Sequence, residues 1–268
     1  MLSSCVDMKK GKTESEAPDT LVLTTEEVIT YDTLTLHDSR NIIENLEVPR
    51  YEIDMNVAFA TGESPLAKSI NELICEEIFN VQGVTPEEAM RHVADSIGNQ
   101  FAQDLREFFE PDEEDASFRF TYEWSLEGMV NKKPHPKAQS YLYKIETYQG
   151  GAHGSHEVYH LNFDPKTGKR ITRADVFKED KNEELLALIS QQLMKEYNCT
   201  SLEQLRDETS ITLLGDLYVD ENFSIEKDGI CIDYNPYDIA PYAAGVISVL
   251  LSFEQLADIV TPDFKPSK

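Results

Sequence analysis

Tyr148-Gln149-Gly150-Gly151-Ala152-His153-Gly154-Ser155-His156-Glu157-Val158-Tyr159-His160 supports two readings that lead to different proteins. As a helix, His156-Glu157-Val158-Tyr159-His160 matches the His-Glu-x-x-His spacing that brings two imidazoles to one zinc ion with a carboxylate beside them as base. As a strand, it is a glycine loop running into extended chain. Gly150, Gly151 and Gly154 disfavour a helix just before the motif, Pro165 stops one soon after, and Tyr159, Leu161 and Phe163 recur at every second position. Along a strand, residues four apart lie about 13 Å from each other, too far for two ligands each about 2 Å from one zinc. The strand reading is therefore preferred, and a zinc-dependent hydrolase using His156, Glu157 and His160 is kept as the alternative. Glu183 or Glu184 is its nominal third ligand. No cofactor and no bound metal is expected. The glycines before the motif read as a tight loop needing positive φ, in which His153 either holds the backbone or is presented to a ligand.

Working outward, period-two alternation marks strands at Tyr51 to Phe59, Phe118 to Leu126 and Ser140 to Tyr148, with a fainter one at Val28 to Leu36. Ser64-Pro65 starts a helix that continues through Leu66, Ile70, Leu73, Ile74 and Ile78 to Gly83. Thr85-Pro86-Glu87-Glu88 starts a longer one, whose apolar face runs from Met90 to Phe108. Proline-bearing Asn131 to Lys137 separates two strands expected to pair antiparallel, and Asp164 to Gly168 is a turn before extended chain at Lys169 to Thr172. A helix is expected at Asn182 to Tyr197. A hairpin turns at Lys227-Asp228-Gly229, and Val246 to Ser252 is a last strand before a short helical piece at Phe253 to Ile259. This order implies an α+β protein of mainly antiparallel sheets packed against helices, in two closely associated subdomains.

Fifty acidic residues against 24 basic ones give the 268-residue chain a formal charge of −26, which argues against nucleic acid and favours neutral or cationic partners. No apolar run is long enough to span a bilayer. Leu2-Ser3-Ser4-Cys5 resembles the lipobox of a bacterial lipoprotein, and the polar stretch behind it has the composition of a tether, so a membrane link is expected only through a lipid at Cys5. Cys75 reads as packing, and Cys199 with Cys231 as a conceivable pair.

Three segments together resemble a known family: Tyr148-Gln-Gly-Gly-Ala-His-Gly154; Asn162-Phe-Asp-Pro-Lys-Thr-Gly168 with Asp175-Val-Phe177; and Tyr237-Asp-Ile-Ala-Pro-Tyr-Ala-Ala-Gly245. They look like the RsiV-like extracytoplasmic domain of lysozyme-sensing anti-sigma factors, of peptidoglycan deacetylases and of many lipoproteins. The resemblance covers roughly residues 45 to 260. It implies a non-catalytic α+β binding domain in the bacterial cell envelope, lipid-anchored and facing the periplasm or exterior. The sigma-binding segment, membrane span and deacetylase catalytic domain have no counterpart here, so those activities are not implied. Partners implied are a cationic protein such as lysozyme, or peptidoglycan-type glycan. The ligand-binding residues expected are Gly150, Gly151, His153 and His156 in one loop, and Tyr237, Pro241 and Tyr242 in another, since tyrosine gives contact area at low entropic cost. The chain divides into a leader and tether (1–27), an N-terminal unit with two helices (28–148), a C-terminal RsiV-like domain (149–262) and a tail (263–268).

Overall fold

A computed structural model describes residues 27–42, 49–108 and 121–265. Cys5, and with it the expected lipidation site, lies outside the described residues. Six strands form one sheet in chain order: β1 (Tyr31–Asn41), β2 (Arg50–Ala60), β3 (Thr121–Val130), β4 (Gln139–Tyr148), β5 (Ser155–Phe163) and β6 (Arg170–Ile171). β7 (Phe223–Ile225), β8 (Gly229–Tyr234) and β9 (Ile247–Ser252) make a second, three-stranded antiparallel sheet. Among the described residues five α-helices complete the α+β fold: α1 (Pro65–Phe79), α2 (Pro86–Phe108), α3 (Arg173–Val176), α4 (Asn182–Glu196) and α5 (Leu202–Thr209).

β2 and β3 are parallel, with Glu52 beside Glu123, because the chain between them passes through α1 and α2 and returns to the end at which β2 began. The other neighbouring strands of this sheet are antiparallel, including the expected β3–β4 pair. Both long helices start where the sequence places them. Ser64 Oγ accepts the Ala67 N–H at 3.1 Å with Pro65 in the first turn, and Thr85 and Glu88 exchange bonds at 2.9 and 3.3 Å as a capping box. α1 ends on Asn80 in the left-handed region at φ 54°.

Tyr51, Ile53, Met55 and Val57 point from β2 to the helices and are buried in one core with Ile70 and Ile74 of α1 and Met90 and Ala94 of α2. A second core lies between α4, α5 and β7 to β9, around Leu185, Ile189, Leu193, Leu205, Ile232 and Val249. The boundary read between residues 148 and 149 falls in the β4–β5 turn, and the six-stranded sheet runs through it. Leu161 and Phe163 of β5 belong to the first core.

Several boundaries differ from expectation. β1 extends to Asn41 through His37, Asp38, Ser39 and Arg40, because its full-length pairing with β2 overrides a weak local pattern. The third strand continues to Val130 past Gly128, where a side chain would meet the Tyr141 hydroxyl at 2.4 Å; residues 118–120 lie outside the described residues. Phe253 to Ile259 is a run of turns instead of a helix, as the chain bends to bring Val260 into a bridge with Phe177. α5 is an addition that the sequence does announce: Ser201 Oγ accepts the Gln204 N–H at 3.1 Å. Cys75, Cys199 and Cys231 are free thiols. The conceivable Cys199–Cys231 pair is not formed, since Cys199 lies 3.5 Å from the Tyr197 carbonyl and Cys231 lies 3.7 Å from Asp233. Burial pushes the Cys231 thiol up to about 12 and Cys75 up to about 11.

Candidate functional site

Residues 156 to 160 lie within strand β5, paired with β4 from His156 opposite Glu146 to His160 opposite Leu142. The helical turn that would converge two imidazoles on zinc is absent, and each histidine is engaged elsewhere. His160 Nε2 is 2.6 Å from Asp233 Oδ2 of β8, both side chains nearly buried, while His156 Nδ1 faces the Tyr242 hydroxyl at 3.4 Å. Glu157 accepts a bond from Tyr159 at 3.0 Å, and Glu184 pairs with Lys181 at 2.6 Å. Among the described residues no group of three His, Cys, Asp or Glu side chains is arranged to hold a metal ion.

The glycines do what the loop reading requires. Gly150 and Gly151 take φ of 85° and 92°. At Gly154 the constraint is proximity, because a Cβ would lie 2.4 Å from the Thr147 carbonyl oxygen. The turn places His153 Nδ1 2.8 Å from the Gly154 carbonyl and the Tyr148 hydroxyl 3.2 Å from the Gly151 carbonyl. The second candidate loop, some eighty residues on, comes to meet it. Tyr242 stacks on His153 at 4.1 Å with planes 16° apart, meets the His156 ring edge-on at 5.4 Å, and lies 5.9 Å from the Tyr237 ring. Tyr237 is 58% exposed and has φ 76°, a conformation that an aromatic residue rarely holds. It is fixed by its N–H bond to the Ala240 carbonyl at 3.0 Å and by Asp238, whose carboxylate accepts the Asn235 N–H at 2.6 Å. Pro241 supplies the rigid entry to the short turn Tyr242–Ala244.

Beside this aromatic cluster opens a groove of about 510 Å³, bordered by Glu52, Asp54, Glu123, Glu146, Trp124, Tyr148, His156 and Tyr242. Composition alone left these acids hidden among fifty. Strand register gathers them: Glu52 lies beside Glu123, and Asp54, Ser125, Glu146 and His156 form the next row. Because Ile53 and Met55 face the helices, Glu52 and Asp54 face away from them. Neighbouring cations temper the charge, Arg50 at 2.6 Å from Glu52 and Lys144 paired to Glu146, and the His37 ring lies 2.8 Å from Asp54. The groove thus combines carboxylates with the half-buried rings of Tyr148 and Tyr242.

A polar seam fixes the second sheet against the first. Asn235 accepts the Val158 N–H at 2.8 Å and donates to the Val158 carbonyl at 3.0 Å; Asn222 accepts the His160 N–H at 3.0 Å and also donates to Val158. In return Asn162 of β5 donates to the Phe223 carbonyl at 2.7 Å, and Ser140 of β4 accepts the Ile225 N–H at 2.8 Å. The free edge of β5 is satisfied by side-chain amides in place of a neighbouring strand. At Asp233 burial pushes the carboxyl up, but hydrogen bonds from His160 and Ser248 outweigh it and hold the group below the usual carboxylate range.

Residues 174–254 match a family described as a protein of unknown function (DUF3298). The match covers α3 to β9 and with them the Tyr237 to Gly245 loop. A crystal structure of a DUF3298 family member from Bacteroides fragilis NCTC 9343 superposes with a TM-score of 0.81 at 24% identity, covering 89% of this chain and 97% of that one. A DUF3298 family protein from Pseudomonas aeruginosa PAO1 gives a TM-score of 0.61 at 13% identity, covering 91% of this chain and 99% of its own. Both likenesses are of fold. No curated protein matches.

Proposed function

We propose that this chain is a non-catalytic binding domain of the bacterial cell envelope, tethered through a lipid at Cys5, that recognises a cationic protein such as lysozyme. The observation that supports it is the groove in which Glu52, Asp54, Glu123 and Glu146 lie beside Tyr148 and Tyr242. Carboxylates attract lysine and arginine side chains, and aromatic faces hold the same cations, so the two together suit a basic protein surface. The net charge of −26 adds long-range steering. The stacked His153, Tyr242 and Tyr237 rings also favour a second reading, in which the same rim stacks against the sugar rings of peptidoglycan-type glycan.

Calorimetric titration with lysozyme and with muropeptides tests both. Binding of lysozyme that weakens about tenfold or more in the triple variant E52Q/E123Q/E146Q supports the protein reading. Muropeptide binding abolished by Tyr242→Ala supports the glycan reading instead. Absence of heat with lysozyme, or equal affinity of the triple variant, removes the cationic-protein proposal.

A further inference from the structure

The acidic groove has a counterpart at the opposite end of the same sheet. The β3–β4 connection (131–138) and the β5–β6 connection with the first residue of β6 (164–170) hold six of the chain's 24 basic residues and only one of its 50 acidic ones. In a molecule of charge −26 that concentration is unexpected, and the fold makes it local. Gln139 pairs with Phe163, so the two connections leave the sheet side by side. Pro136, Lys137, Lys166, Thr167, Lys169 and Arg170 border one shared cavity of about 740 Å³. Lys132, Lys133, Lys166 and Lys169 are exposed. Asp164, Asp175 and Asp263 border the same cavity and Glu27 the adjoining one. Asp263 is 2.8 Å from Lys137, Glu77 pairs with Arg170, Asp164 accepts the Lys166 N–H at 2.7 Å, and Asp175 caps α3 through Thr172.

A ten-residue strand separates the two poles by about 30 Å. The chain enters at the basic one. Glu27, the first described residue, borders the adjoining cavity with Pro136, Lys166 and Thr167, and β1 begins opposite Ala60, the far end of β2 from the groove.

We propose that this basic pole docks on the phosphate headgroups of an anionic lipid membrane and turns the acidic groove outward. Lysines beside an anionic leaflet each strengthen binding several-fold, which compensates for the repulsion of the acidic remainder when the poles are separated by more than a Debye length. The proposal rests on the envelope reading above, but the two fail in separate experiments, one on lysozyme and one on lipid.

The test uses the full chain with Cys5→Ala, so that no acyl group contributes, in co-sedimentation with vesicles of phosphatidylcholine alone or mixed with phosphatidylglycerol. Binding should require phosphatidylglycerol, fall with added chloride, and weaken at least about tenfold in K132Q/K133Q/K166Q/K169Q. The control R40Q/R91Q/K144Q/K195Q removes the same charge elsewhere and should bind as the parent does. The single variants K133Q and K169Q, each at an exposed position, should show part of the loss with an unchanged melting temperature. No sedimentation with phosphatidylglycerol vesicles, or equal losses in the two quadruple variants, overturns the proposal. So does competition by inorganic phosphate beyond that of chloride at equal ionic strength, which would mark a pocket for free phosphate.

Discussion

Gly154 shows how much one residue decides here. Any side chain at this position would press on the Thr147 backbone at 2.4 Å, and backbone cannot swing aside as a side-chain tip can. Gly154→Ala is therefore expected to cost about 1–3 kcal/mol in urea unfolding and to displace His153 from the Tyr242 ring. The identity of this residue is legible in sequence as a glycine in a loop; the reason for it, a neighbouring carbonyl, is not. His160 is the opposite case. Its alternation with Tyr159 and Leu161 marks a polar strand position, whereas it is nearly buried on Asp233, a residue 73 positions later. Asp233 has its folded-state pKa lowered, so the stability it contributes is full above the unfolded carboxylate range and is lost as pH falls through the lowered value. Wild-type protein should exceed Asp233→Asn in stability by a steady margin near neutral pH, and the margin should close in acid. A margin that widens on acidification in paired thermal melts would contradict this assignment.

Among the elements, β5 has the largest consequences. As a strand it disposes of the zinc geometry, and metal analysis of the purified chain is expected to find no stoichiometric zinc, with His156→Ala leaving the metal content unchanged. Its outer edge is satisfied by Asn222 and Asn235. Asn235→Ala removes the acceptor of the Val158 N–H and one of the two donors to its carbonyl, Asn222 keeping the other at 2.7 Å, and is expected to cost about 1–2 kcal/mol. Hydrogen exchange at the Val158 amide should accelerate in this variant while that of Ile53, deep in the other core, stays slow. Equal exchange at Val158 in both proteins would mean that the amide seam does not hold the sheets. The two helices and the alternating strands were readable because each buries one face on a regular period, as Ile53 and Met55 do on β2. The extension of β1 through Arg40 and the turns at Phe253 to Ile259 were not, because pairing with β2 and the bridge to Phe177 decide them.

For the whole molecule, charge has direction as well as size. Acids gather where β2 and β3 begin, and lysines gather where β3 and β5 end. Binding of a basic protein at the groove should weaken steeply with salt through the association rate, and stopped-flow measurements of wild type against E52Q/E123Q/E146Q check it. Composition by itself determined the acidity and the exclusion of a nucleic-acid partner as the expectation, since both depend on totals. Local periodicity determined the α+β class, because helix and strand faces are written in neighbours three, four or two positions apart. The glycines determined the tight β4–β5 loop, because φ above zero is a local requirement. Only the tertiary structure decided that Tyr242 lands on His153, that His160 meets Asp233, and that four scattered carboxylates share one groove while two lysine-rich turns share the other end. These are contacts between strands far apart in the chain, fixed by register and by a two-helix crossover, and no stretch of sequence contains both partners.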